Sequence, residues 1–246
     1  MRLEIAVQDV PGAHLAAAHG ADRIELCCAL QLGGLTPSQG LLRSVRSAEP
    51  ALPIHALIRA RPGDYVYDAP ALALMLAEIK EIRDAGATGV VIGALTPADT
   101  IDYAAVQAMV AAADGLHITF HRAVDHLSMN DAVAAVPRLA SLGVQRILSS
   151  GGALKAGAGL AQLRAMHEAA SGTLTIMAGG GVDVADFAAF HDAGLRDVHL
   201  SAKRTIHKST PGPLTGAAQA EDNSYFVTDA HMVEQAGIAA RALALA

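Results

Sequence analysis

Eight short apolar runs, at 3–7, 23–27, 54–59, 89–93, 117–121, 146–150, 175–179 and 197–201, punctuate the chain. Their starts lie roughly 20 to 35 residues apart, the length of one strand, one helix and two short turns. The stretches between them, at 11–19, 37–46, 69–84, 98–113, 129–142, 157–170 and 184–193, are amphipathic or alanine-rich and read as helices. Gly20, Gly86, Gly115, Gly143, Gly172 and Gly194 stand where a left-handed residue would close a helix. Such alternation predicts a parallel sheet, which an open doubly wound fold would also give. Eight strands in 246 residues select the closed form, an α/β (β/α)8 TIM-like barrel in a single domain spanning 1–246. After the eighth strand, 203–223 is rich in proline and glycine and reads as an irregular loop, either a lid or merely flexible. A final helix is expected from about 228 to 245.

Side chains alternate across a strand, so the apolar positions that must meet the helices fix which residues face the barrel axis. Outward Leu3, Ile5 and Val7 leave Glu4 and Ala6 inside. By the same rule Arg23, Glu25 and Cys27 face inward from the second strand, and His55, Leu57 and Arg59 from the third. Thr119 and His121, Ser150, and His199 and Ser201 follow from the fifth, sixth and eighth. Cys27, Arg59, His121, Ser150 and Ser201 fall nearest the strand C-termini, the end at which barrel enzymes place their chemistry, with Glu25 one layer deeper.

Composition narrows the function. A formal net charge of −6 and only 18 lysines plus arginines oppose a nucleic-acid or anionic-membrane surface. The first residues show no charged region followed by an apolar run, and no segment approaches the length of a membrane span, so a cytoplasmic protein is expected. Cys27 and Cys28 are the two cysteines, and as strand neighbours they point to opposite faces.

Glu4 and Arg23, near the strand beginnings, suit interior ion pairs. Glu25, Arg59 and His121 come from three strands toward the functional face and suit a site. In the run HRAVD, His121 would be a general base oriented by Asp125, which could equally meet Arg122 or cap the next helix. Arg59 and Arg61 in IRARPGDYVY offer two guanidiniums to an anionic ligand. Gly179, Gly180 and Gly181 leave the seventh strand before a helix, where backbone amides could cradle a phosphate or simply make a tight turn. Ser150 and Ser201 would add donors after strands six and eight. No lysine falls at an inward strand position, which disfavours Schiff-base chemistry, and neither a Gly-x-Ser-x-Gly elbow nor a His-Glu-x-x-His pair occurs.

The stretches GADRIELCCALQLGGLTPSQG (20–40), IRARPGDYVY (58–67), TFHRAVD (119–125), RILSSGG (146–152), IMAGGGV (176–182), HLSAKR (199–204) and YFVTD (225–229) resemble, in order, the CutC copper homeostasis family over nearly the whole chain. The resemblance implies a TIM-like barrel, a cytoplasmic homodimer or larger assembly, and a role in copper tolerance. Two departures stand out. Members proposed to bind Cu(I) carry a first-strand cysteine where this chain has Ala6, and Ala60 replaces a common proline between the two arginines. Two classes of function follow. One is a copper-binding protein with Cys27 as ligand and His199 or His121 as supplements. The other is an enzyme, an isomerase, lyase or hydrolase, whose Arg59, Arg61, Arg122 and 179–181 loop hold a small anionic metabolite such as a sugar phosphate while Glu25 and His121 move protons.

Overall fold

The computed structural model describes residues 1–207 and 224–244. Eight parallel strands close into a barrel: β1 (Arg2–Val7), β2 (Arg23–Leu26), β3 (Ile54–Leu57), β4 (Gly89–Ile92), β5 (His117–Phe120), β6 (Arg146–Ser149), β7 (Thr175–Gly179) and β8 (Asp197–Leu200). They pair in sequence order, and β8 returns to β1 with Glu4 opposite His199. Seven helices fill the crossovers: α1 (Val10–Ala18), α2 (Gln39–Ala48), α3 (Ala69–Asp84), α4 (Tyr103–Ala113), α5 (Met129–Ser141), α6 (Leu160–Ala170) and α7 (Phe187–Asp192). Polar caps set several of their starts. Asp9, Ser38, Asp68, Asp102 and Ser128 each accept a backbone N–H from the first turn of the helix that follows.

Three helix starts depart from the expectation by three residues or more, for local reasons. The helix expected from 98 begins at Tyr103, because Thr96 and Thr100 close a turn through Asp99 at φ +53° before Asp102 can cap. The starts expected at 157 and 184 are 3-10 turns, Ala156–Gly159 and Val184–Asp186, which lead into α6 and a short α7. The expected irregular loop is corrected in part. Lys203–His207 is a strand, β9, paired antiparallel with β10 (Ser224–Thr228), while 208–223 lies outside the described residues. The last helix, α8 (Ala230–Ala242), begins later than the expected 228, because Thr228 still pairs in β10 and Asp229 caps the helix, and it ends at Ala242 with Leu243 as its C-cap, short of the expected 245.

Two cores result. The larger lies between strands and helices, where Leu3, Ile5, Ile24, Leu26, Phe120 and Phe187 are fully or almost fully buried. The barrel axis holds a polar layer beneath a small apolar one of Cys27, Leu57 and Val91. In that polar layer Arg23 donates to Glu4 (2.5 Å) and Asp197 (2.9 Å), and Arg146 donates to Asp197 (2.9 Å). Two carboxylates against two guanidiniums satisfy one another, which makes charge tolerable in the interior. Glycines in and just after β4 make room for the neighbouring histidines: a Cβ at Gly89 would collide with the His55 ring and one at Gly93 with the His121 ring.

Candidate functional site

At the carboxyl ends of the strands the barrel opens into a cavity of about 600 Å³. Glu25 and His199 line it from below, and Glu4 lies beneath them. Glu4 is fully occupied. One carboxylate oxygen accepts from Arg23 and the other meets His199 Nδ1 at 2.8 Å. Burial alone would raise the Glu4 pKa, but Arg23 and His199 outweigh it and hold the carboxyl well below its ordinary range. Glu25 has no such partners. It is 93 % buried and its carboxylate makes no hydrogen bond among the described residues. Burial, opposed by His199 and aided by the charge of Glu4, raises it to about 7. His199 is raised as well, because the carboxylates of Glu25 and Glu4 overcome its own burial. The floor therefore holds a carboxyl that can take up or release a proton near neutral pH, beside a histidine whose Nδ1 is committed to Glu4.

One wall is built from β3 and β5. Arg59 donates through Nη1 to the carbonyls of Leu32 and Gly34 and through Nη2 to that of Gly63, fastening two mouth loops together, while its Nε is buried without a partner. Its Cζ lies 5.1 Å from the Tyr65 ring centre, and that ring lies 4.7 Å from the His121 ring. His121 Nδ1 accepts the Ala123 N–H at 3.2 Å, and Nε2 is buried without a partner. Burial and the neighbouring Arg59 charge lower its pKa to about 3, so His121 is neutral.

The opposite wall carries cations. Arg122 donates to Asp125 (2.8 Å) and to Ser150 Oγ (3.1 Å), and it lies so close to Gly180 that a Cβ there would come within 2.7 Å of its Cζ. Lys155 borders Gly181 in the same way, with its Cγ 3.0 Å from where a Cβ would stand. Both glycines have positive φ, so the turn after β7 lets two cationic side chains approach the cavity. Ser201 and Lys203 complete this side, and Lys203 Nζ rests 4.0 Å over the Phe226 ring. Asp183 is the acidic group at this rim, and it caps a turn through Ala185 N–H.

The residues singled out from sequence thus separate. Glu25, Arg59, His121, Arg122, Gly180, Gly181, His199 and Ser201 line one cavity. Asp125 does not orient His121. It accepts from Arg122, from the hydroxyls of Ser149 and Ser150 and from the Ser150 N–H, and so holds the loop after β6. Ser150 is buried in that network and is not part of the cavity lining. Gly179 faces the interior, where a Cβ would strike Leu148. Arg61 turns away to Asp64 (2.7 Å) and the Val66 carbonyl (2.6 Å). Tyr65, Lys155, Lys203 and Gly93 were not among the candidates. Tyr65 and Lys203 lie inside the motif runs IRARPGDYVY and HLSAKR, which is the signal that could have marked them.

Copper(I) does not fit Cys27 here. The thiol is fully buried among Leu57 and Val91, its Sγ lies 3.7 Å from the Val7 carbonyl, and burial raises its pKa well above the ordinary value. Among the described residues, the His, Cys, Asp and Glu side chains that could share an ion are Glu4, Glu25 and His199, whose ligand atoms lie within 4.8 Å of one another. That set offers two carboxylates and one imidazole and no soft donor, and Glu4 is already bound on both oxygens.

The family model for the CutC family matches residues 1–204. The CutC family protein of Pectobacterium atrosepticum is 43% identical over 201 residues, covering 82% of this chain and 78% of that one. The corresponding protein of Edwardsiella ictaluri is 38% identical over 95% of this chain and 93% of its own length. A solved structure from Streptococcus agalactiae, described as a candidate copper homeostasis protein CutC, superposes with a TM-score of 0.77 at 27% identity, covering 82% of this chain and 98% of that one. The match of family model, relatives and fold, over strands that carry the cavity just described, establishes that the chain belongs to the CutC family.

Proposed function

We propose that the mouth of the barrel is the active site of an enzyme acting on a small anionic metabolite, with Glu25 as the group that moves the proton. The observation that carries this reading is Glu25 itself. It is a buried carboxyl without a hydrogen-bond partner among the described residues, poised at about 7, on the floor of a cavity rimmed by Arg122, Lys155 and Lys203. A structural carboxylate in a barrel is paired, as Glu4 and Asp197 are, whereas an unpaired one that titrates near neutrality suits acid–base chemistry. The rim cations supply charge for a phosphate or carboxylate. Copper binding through Cys27 is the weaker reading, because it lacks a second soft donor at that position.

Thermal melts against phosphorylated sugars and sugar acids, each paired with its uncharged parent, test the assignment. A ligand at 100 times its Kd stabilises by about 2.7 kcal/mol, or roughly 5 to 10 °C for a chain of this size. At least one anion should give such a shift, its parent none, and Arg122→Ala should abolish it. No shift with any anion, together with tight Cu(I) binding lost in Cys27→Ser, would replace this reading with the copper one.

A further inference from the structure

His121 and Arg59 end two strands that are not neighbours, yet each presents one N–H that the fold leaves without an acceptor. On His121 the accepting nitrogen is settled by the Ala123 N–H at Nδ1, so the ring hydrogen resides on Nε2. The ring packs against inward-facing Gly93, where a Cβ would stand 3.0 Å from that nitrogen, and His121 is among the residues that line the cavity. On Arg59, Nη1 donates to the carbonyls of Leu32 and Gly34 and Nη2 to that of Gly63, and Nε is the buried nitrogen left without a partner. The Tyr65 ring packs against both groups, and all three side chains line the cavity that Glu25 enters from below. Buried donors without acceptors are rare, and a pair of them on the wall of one cavity calls for an acceptor that arrives with a ligand. Burial, helped by the neighbouring guanidinium, keeps the imidazole neutral, which makes it a donor that does not surrender its proton.

We propose that His121 Nε2–H and Arg59 Nε–H together form an oxyanion site for a carbonyl oxygen, so that the substrate is an enolisable carbonyl compound that also carries an anionic group. This rests on the reading of the mouth as an anionic-metabolite site. Glu25 in its carboxylate form takes a proton from the carbon next to the carbonyl. The C–H electron pair becomes the C=C bond, and the carbonyl π pair moves onto oxygen, where the two N–H groups receive it. Return of the proton from the Glu25 carboxyl to carbon restores a carbonyl, with nothing oxidised or reduced. His121 is then an electrophile rather than the general base suggested by the HRAVD run.

Calorimetric titration with two phosphomonoesters tests this. Phosphoglycolohydroxamate mimics the planar enediolate, whereas glycerol 3-phosphate has the phosphate and no carbonyl. The hydroxamate should bind at least about ten-fold tighter to the wild-type protein. His121→Phe should reduce that preference below about three-fold with glycerol 3-phosphate unchanged, and His121→Gln, which keeps an N–H, should retain part of it. Equal affinity of the two ligands for the wild-type protein overturns the oxyanion site while the anionic reading stands, and that comparison needs no variant to fold. A preference that survives His121→Phe overturns it too. Failure of both ligands to bind overturns the oxyanion site, while the anionic reading is decided by the melts against phosphorylated sugars and sugar acids.

Discussion

Gly93 decides where His121 can sit. The ring occupies the volume that any larger residue just after β4 would claim, so Gly93→Ala forces it toward Tyr65 or out of the lumen. Crowding of this kind in a packed interior costs about 1–3 kcal/mol. Urea denaturation of Gly93→Ala should show a loss in that range, and the variant should also lose the hydroxamate preference. An unchanged midpoint would mean that the ring has room to spare. This is a relation that spacing along the chain does not carry. The run TFHRAVD placed His121 at the mouth, because strand alternation fixes direction. Which imidazole nitrogen is taken depends on a 3-10 turn, Arg122–His126, whose first N–H to be capped is that of Ala123. Asp125 stood at the right distance in sequence to orient the histidine. It serves the next strand instead, because the turn points its carboxylate at Ser149 and Ser150.

That turn and the loop after β6 form one element held at a single carboxylate. The Asp125 side chain is 8 % exposed and collects two hydroxyls, the Ser150 backbone N–H and the Arg122 guanidinium. Its removal strands several buried donors at once, each worth about 1 kcal/mol net. Arg122 is 42 % exposed, so its ion pair contributes the smaller part. Asp125→Ala should therefore lower stability by roughly 2–3 kcal/mol in urea melts and weaken phosphate-ester binding at least several-fold, because Arg122 loses its support. Full affinity in a destabilised variant would show that Arg122 positions itself without Asp125. Elements with strong periodicity, such as α3 at Ala69–Asp84, were legible to the residue. The β9–β10 hairpin was not. In Lys203–His207 the pattern Lys-Arg-Thr-Ile-His has no apolar alternation, and its partner lies across the proline- and glycine-rich 208–223 stretch, so the signal for pairing is neither local nor periodic.

Across the whole molecule, two sets of buried groups pull stability in opposite directions with pH. Burial lowers His55 and His121 to about 3 and His117 to about 4, so below about 6.5 the unfolded chain binds more protons and stability falls as the pH drops. Glu25 at about 7 and the raised His199 do the reverse. The folded chain then holds the extra proton; the Glu25 contribution is present at low pH and lost as pH rises through about 7, and that of His199 is lost as pH rises above the ordinary histidine range. Three lowered histidines outweigh Glu25 and His199 in the acid range, which places maximum stability near neutral pH. Denaturation midpoints from pH 4 to 9 check this. Glu25→Gln should gain on the wild type by roughly 2–3 kcal/mol between pH 5 and pH 8, and no relative gain would mean that Glu25 ionises at little cost. The same closed wall that isolates these groups separates the two adjacent thiols. Cys27 is sealed inside the barrel, whereas Cys28 lies partly exposed at its edge, with its Sγ 3.2 Å from the Thr36 carbonyl. An alkylating reagent should therefore modify Cys28 first and reach Cys27 only when strands part, so the chain carries its own clock for barrel opening.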